Sequence, residues 1–175
     1  KRTEEIIAIQ DVTVHALSSL AETRDNETGN HIIRTKLYVK QLASHLTEHP
    51  KFMGLIDEDF IEILHKSAPL HDIGKVGIPD HILLKPSKLD TKEFEVMKTH
   101  TILGSDAITS AEDRLGIEVP FLKTAKEIAL THHEKWDGSG YPAGLIGDNI
   151  PISGRIMAIA DVYDALISRR VYKEP

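Results

Sequence analysis

The sequence predicts an all-α fold. Apolar residues recur at three- and four-residue intervals along most of the chain. The alternation of β-branched and aromatic residues that marks strands hardly appears.

The elements follow in order. A first helix is expected over 4–23, where Ile6, Ile9, Thr13, Leu17 and Leu20 fall on or near one stripe. That stripe is too short for a sustained coiled coil, so it reads as an ordinary core-facing helix; the end of a helical linker, or a seam for a homodimer, is the alternative. Further helices are expected over 29–46, over 58–67 with a possible extension to His71, and over 92–110, 121–134 and 152–168. Pro69 lacks a backbone donor and would kink any helix that carries it, which places His71-Asp72 just after a bend. Asp90 followed by Glu93 has the spacing of a capping box. Gly74, Gly77 and Pro79 close the segment that holds Lys75. The long stretch 136–151, rich in Gly and Pro, is a loop, and its aromatic and apolar content favours a functional loop over a disordered one.

Composition bounds the chemistry. The 175 residues suffice for one globular domain with a sizeable core. Lys1 in place of Met, and the ending at Lys173-Glu174-Pro175, are expected of a portion of a longer protein. No apolar run approaches bilayer length and no secretory core follows Lys1-Arg2, so a cytoplasmic location without membrane insertion is expected. Cysteine is absent, which removes disulfides, thiolate ligands and a cysteine nucleophile. Any metal must then be held by nitrogen and oxygen, the ligand set of iron, manganese, nickel, cobalt or zinc in a His/carboxylate site. A net charge of -6 argues against binding along polymeric nucleic acid. Arg169-Arg170 and Lys173 nevertheless form a local basic cluster near Asp161.

The chemistry centres on His71-Asp72, in Leu70-His71-Asp72-Ile73-Gly74-Lys75. An imidazole beside a carboxylate can hold a divalent cation, and the two oxygens of Asp72 can bridge two cations. Glu27 and His31, four apart, share a face if they lie on one helix. Asp161 and Asp164, three apart, stand in an otherwise apolar run where an unpaired carboxylate is costly, so a cation or strong donor is expected opposite. His132 and His133 point about 100° apart on an ideal helix. They suit a cluster approached from two directions, or a helix that is ending there. His100 closes the periodic segment 94–100 and joins the set through its company. His15, His45, His49, His65 and His81 read as ordinary residues.

Taken together, these motifs resemble the HD-GYP family of bacterial cyclic-dinucleotide phosphodiesterases within the HD superfamily. The likeness runs from about Asp11 to Lys173 through His-Asp-Ile-Gly-Lys, Glu-Thr-Gly-Asn-His from Glu27, Ile-Pro-Asp from Ile78, Lys85-Pro86, His100 with Gly104, His-His-Glu-Lys-Trp-Asp-Gly-Ser-Gly-Tyr-Pro from His132, and Asp-Val-Tyr-Asp-Ala-Leu from Asp161. The stretch 110–124 is less typical and reads as a variable loop between helices.

The resemblance implies an HD-superfamily helical bundle with a Gly-Tyr-Pro loop over 11–175, preceded at 1–10 by a helical linker from an upstream, receiver-like domain of a response regulator. It implies two or three divalent transition-metal ions, with iron or manganese favoured. His31, His71, Asp72 and Asp161 would form the basic quartet, Asp72 bridging to an ion held by His100, His132 and His133, with Glu27 completing a third site. Lys75 would neutralise the scissile phosphate; Tyr141, Arg170 and Lys173 would hold the nucleotide; Asp164 would support a ligand. The implied reaction is hydrolysis of cyclic di-GMP to pGpG and on to GMP, and contact with a diguanylate cyclase or another signalling protein through the Gly-Tyr-Pro loop is a further implication. The alternatives are a cyclic GMP-AMP substrate, a mononucleotide or alarmone phosphohydrolase, and a catalytically silent sensor.

Overall fold

The computed structural model describes residues 2–24, 30–116 and 118–168. Among them the chain is helical, in the order α1 (Arg2–Arg24), α2 (His31–Leu46), α3 (Glu58–Ser67), α4 (Asp80–Leu83), α5 (Thr91–Lys98), α6 (His100–Leu115), α7 (Pro120–Thr131) and α8 (Ile152–Ile167), with short 3-10 turns at Ala68–Leu70, Ile73–Gly77 and Gly147–Asn149. The all-α expectation holds.

Local chemistry sets the boundaries. Asp57 caps α3 by accepting the Phe60 N–H at 2.7 Å, satisfying one of the donors a helix start leaves open. α3 stops at Ser67 because Pro69 cannot extend it, and the chain tightens into the 3-10 turn that delivers His71. The Asp90/Glu93 capping box is present at the start of α5.

α2, α3, α7 and α8 surround a core of Val39, Ala43, Leu64, Ala68, Ile128, Ile156, Met157 and their neighbours. A second cluster, Leu70, Ile108, Ala125 and Ala129, joins the His-Asp segment to α6 and α7. A third, Ile78, Ile82 and Leu83, seats α4 against Leu89 and Met97. Each fully buried large aliphatic side chain contributes about 1.5–3 kcal/mol, enough to fix the frame on which the site is built.

Three expectations are corrected. The span 92–110 is two helices, because Thr99 turns back on Val96 through both its N–H, at 3.0 Å, and its hydroxyl, at 2.7 Å. His100 therefore opens α6 rather than closing the preceding helix. The stretch 110–124 is mostly helix: α6 continues to Leu115 and ends on Gly116 in the left-handed conformation, φ 66, while Pro120 sits in the first turn of α7, where its missing donor costs nothing. The α1 stripe does not face the core, since Ile6, Ile9, Leu17 and Leu20 are exposed and the packed edge is Val14, Ser18 and Ala21. Among the described residues no helix is long and apolar enough to cross a membrane.

Candidate metal centre

The site forms where the helices end. His71 and Asp72 follow the Ala68–Leu70 turn, His31 is the first residue of α2, and His100 is the first of α6. His132 caps α7 and His133 follows in the turn, so the helix has stopped and both rings reach one centre. Asp161 and Asp164 come from one face of α8.

Asp72 stands in the middle. Its Oδ2 lies 3.2 Å from His71 Nε2 and 2.8 Å from Lys75 Nζ. Its Oδ1 lies 3.4 Å from His100 Nε2 and 3.6 Å from His132 Nε2. One carboxylate thus faces two ligand groups, His31 and His71 on one side and His100, His132 and His133 on the other, each close enough together to hold an ion with Asp72. His31 Nε2 also lies 3.6 Å from Asp161 Oδ1, which brings the fourth member of the quartet to the first group.

The rings are aimed by their far nitrogens. Nδ1 of His71 contacts the Ala68 carbonyl at 3.0 Å, Nδ1 of His100 the Met97 carbonyl at 2.7 Å, and Nδ1 of His132 the Ile128 carbonyl at 3.0 Å. Nδ1 of His31 meets Asp164 Oδ2 at 2.8 Å. A carbonyl can only accept, so Nδ1 carries the proton and Nε2 presents a lone pair inward. The consequence is unusual for a protein interior: Asp72 Oδ1, His100 Nε2 and His132 Nε2 are buried and make no hydrogen bond among the described residues. A divalent cation satisfies all three, so the donor set fits a metal.

Titration tendencies agree. Burial and the neighbouring His132 push His133 down to about 2, and burial takes His100 to about 4, which leaves both in the neutral, ligating form. At His71 burial pulls in the same direction, but the Asp72 and Asp161 carboxylates more than offset it and hold the ring up to about 9. Without a metal His71 thus also carries a proton on Nε2, facing Asp72, and a cation bound there would displace that proton and supply the positive charge in its place. Burial opposes ionisation of Asp72, yet Lys75 and His71 keep it well below the usual carboxylate range.

Tyr141 reaches the centre from the long loop, its ring 4.8 Å from that of His133. Burial raises its phenol, which stays protonated. Glu27, Arg170 and Lys173 lie outside the described residues.

Two contributors escaped the sequence reading. Arg34, one turn beyond His31, grips Asp164 with Nε to Oδ1 at 2.6 Å and Nη2 to Oδ2 at 2.9 Å, in the paired geometry that carboxylates favour. Its place three residues after a ligand, on the same helical face, is the signal. Glu134 is buried beside the histidine pair and accepts the Ala143 and Leu145 N–H groups at 2.8 and 2.9 Å. It ties the Gly-Tyr-Pro loop to its stem. A carboxylate between two histidines and a Gly-rich loop is its only mark in the sequence.

Asp164 supports His31 rather than facing the centre, and its loss has a measurable result. Burial raises its pKa less than Arg34 and His31 lower it, so the carboxyl is held below its ordinary value. Asp164→Asn is expected to cost about 2–3 kcal/mol, the range for breaking a buried pair discounted for the part-exposed Arg34. A folded value below the unfolded one gives stability that is complete above about pH 4 and is lost as pH falls through the folded value. Thermal melts should therefore separate parent and variant most at neutral pH and converge in acid; an equal gap at every pH contradicts the assignment.

Comparisons with known proteins agree with this geometry. The HD domain family profile matches residues 15–175. The chain is 61% identical to a cyclic di-GMP phosphodiesterase of Vibrio cholerae over 97% of its own length and 34% of that protein's. It is 49% identical to a cyclic di-GMP phosphodiesterase of Thermotoga maritima, over 91% of this chain and 39% of the other. It is also 49% identical to a 3'3'-cGAMP-specific phosphodiesterase of Vibrio cholerae, over 93% of this chain and 28% of the other. The chain thus spans about a third of the length of these relatives.

Proposed function

The chain belongs to the HD-GYP family of HD domain proteins, and from that membership we propose that it is a metal-dependent phosphodiesterase hydrolysing cyclic di-GMP to pGpG, with GMP as a further product. The observation that carries the reading is the single carboxylate of Asp72 set between two histidine groups whose inward atoms are buried without partners.

In this reading His31, His71 and Asp161 hold one ion, His100, His132 and His133 hold another, Asp72 bridges, and Glu27 completes a third. Iron or manganese suits the set best, with nickel, cobalt or zinc as substitutes. Bound cations would lower the pKa of a water and offset charge on the phosphate and the departing 3'-oxygen. The side chains do the rest. Lys75, beside Asp72, places a point charge where the scissile phosphate enters. Tyr141 offers a ring for a guanine, and Arg170 and Lys173 supply phosphate contacts. Asp164, clamped by Arg34, keeps His31 from turning. The exposed apolar stripe of α1 supports residues 1–10 as a linker or a dimer seam.

The test is a metal-reconstitution series, including iron loaded anaerobically, with cyclic di-GMP and cyclic GMP-AMP run side by side and products resolved by chromatography. Conversion of cyclic di-GMP to pGpG is expected, at a rate that depends on the metal. Preference for cyclic GMP-AMP would redirect the substrate; tight binding without hydrolysis under every metal would make the protein a sensor.

A further inference from the structure

We propose that Phe94 and Lys98 on α5, together with Tyr141, form a purine-binding subsite that favours guanine over adenine. The inference rests on the phosphodiesterase reading and names where that substrate's base sits.

Phe94 and Lys98 are four apart, so they share one face of α5. Phe94 carries no core-packing duty: α5 has no buried residue, and Phe94 is 44% exposed and outside the hydrophobic clusters. An aromatic ring left open at such a place is still closely placed. Its centroid lies 6.1 Å from that of Tyr141 at an interplanar angle of 85°, and Tyr141 in turn lies 4.8 Å from His133. The three rings form a wall leading outward from the metal centre. The wall is also anchored to the centre, because the Met97 carbonyl one turn after Phe94 receives Nδ1 of His100 at 2.7 Å.

Lys98 supplies the polar element. Its Nζ stands 5.3 Å from the Phe94 ring centroid and 5.8 Å from that of Tyr141, within cation–π range of both. Its partner Glu95, 2.6 Å away, is mostly exposed, and an ion pair of that kind is weak enough to share its cation with a ligand. The face of an aromatic ring accepts any base. A cation held beside both rings does not. Guanine presents two acceptors, N7 and O6, where adenine presents N7 beside an N6 donor that the ammonium repels. The composition of the cluster, two rings and one donor-only cation, therefore suits a stacked guanine.

Binding of cyclic di-GMP and of cyclic di-AMP to metal-loaded protein tests this, with metal content measured for each variant. Phe94→Ala is expected to weaken both ligands about 10-fold, from the usual value of one base stack, with metal content unchanged. Phe94→Leu, which keeps apolar bulk without a ring, should lose as much, and Phe94→Tyr little. Lys98→Met should reduce the ratio of cyclic di-GMP to cyclic di-AMP affinity by about 5-fold or more, the usual scale of one base-edge contact. Unchanged affinities in Phe94→Ala and Phe94→Leu, in a preparation that binds and hydrolyses cyclic di-GMP, overturn the subsite and leave the phosphodiesterase reading standing. A parent protein that neither binds nor hydrolyses cyclic di-GMP under any metal overturns that reading and the subsite with it.

Discussion

Asp72→Ala is expected to strip most of the bound metal and reduce hydrolysis of cyclic di-GMP below detection. The physical reason is that each ligand group needs the same side chain: Oδ2 serves the His31 and His71 side, Oδ1 the His100, His132 and His133 side. Removing one histidine takes a donor from one ion; removing Asp72 takes a donor from both and deletes the carboxylate that, among the described residues, stands between them. Activation of water and offset of leaving-group charge depend together on that pair, so a loss of at least about 10³-fold is expected. Lys75 would also lose its partner at 2.8 Å. Elemental analysis of the purified variant, beside a chromatographic assay for pGpG, checks both halves. Full metal content in Asp72→Ala would rule out the bridging role whatever the activity.

The largest stability effect is expected at Gly74, two residues further on. A Cβ built there would stand 1.9 Å from the His100 carbonyl oxygen and 2.5 Å from the Gly104 amide nitrogen. Both are backbone atoms of the first two turns of α6, and neither can swing aside as a flexible side chain would. Gly74→Ala must push the Ile73–Gly77 turn away from α6, at the upper end of overpacking costs, about 3 kcal/mol or more. For a domain of this size that corresponds to a fall in melting temperature of roughly 6–12 °C. The strain also separates Asp72 from His100, so metal should be lost first from the group that includes His100. Gly77→Ala is the control. Its nearest contact, at 2.8 Å, is the Leu103 side chain, which can move, so a smaller fall is expected. Equal melting temperatures for the two variants would show that the close approach at Gly74 is not a constraint.

Much of this was legible in the sequence, for reasons that differ by residue. His31, His71, His100, His132, His133, Asp72 and Asp161, which the fold brings together, could be gathered because only a few residue types can hold a metal, and such types stand out in helical, apolar surroundings. The helix end at His132-His133 was one of two readings open from the angle between neighbouring side chains. The break at Thr99 was hidden, because the periodicity of 92–110 continues across it and the helix is interrupted by one residue whose N–H and hydroxyl both bond back to Val96. α1 misled in the opposite way: its apolar stripe is real, but periodicity shows that a face exists and not what covers it. Arg34 and Glu134 act through other residues, so their places after His31 and after the His132-His133 pair gain meaning only once those neighbours are known to face one centre.

The anchoring of the histidine rings has a consequence for how metal and folding are linked. The Nδ1 contacts of His71, His100 and His132 run to main-chain carbonyls of the segments that carry them, and the frame around them is closed by its own apolar clusters. The ring directions are therefore fixed by helix geometry and not by the ions. In small zinc-dependent modules the free energy of metal binding is the free energy of folding; here the two are separable. A chelator should leave a cooperative, folded domain, and added metal should raise the melting temperature only by mass action, in step with the logarithm of its free concentration.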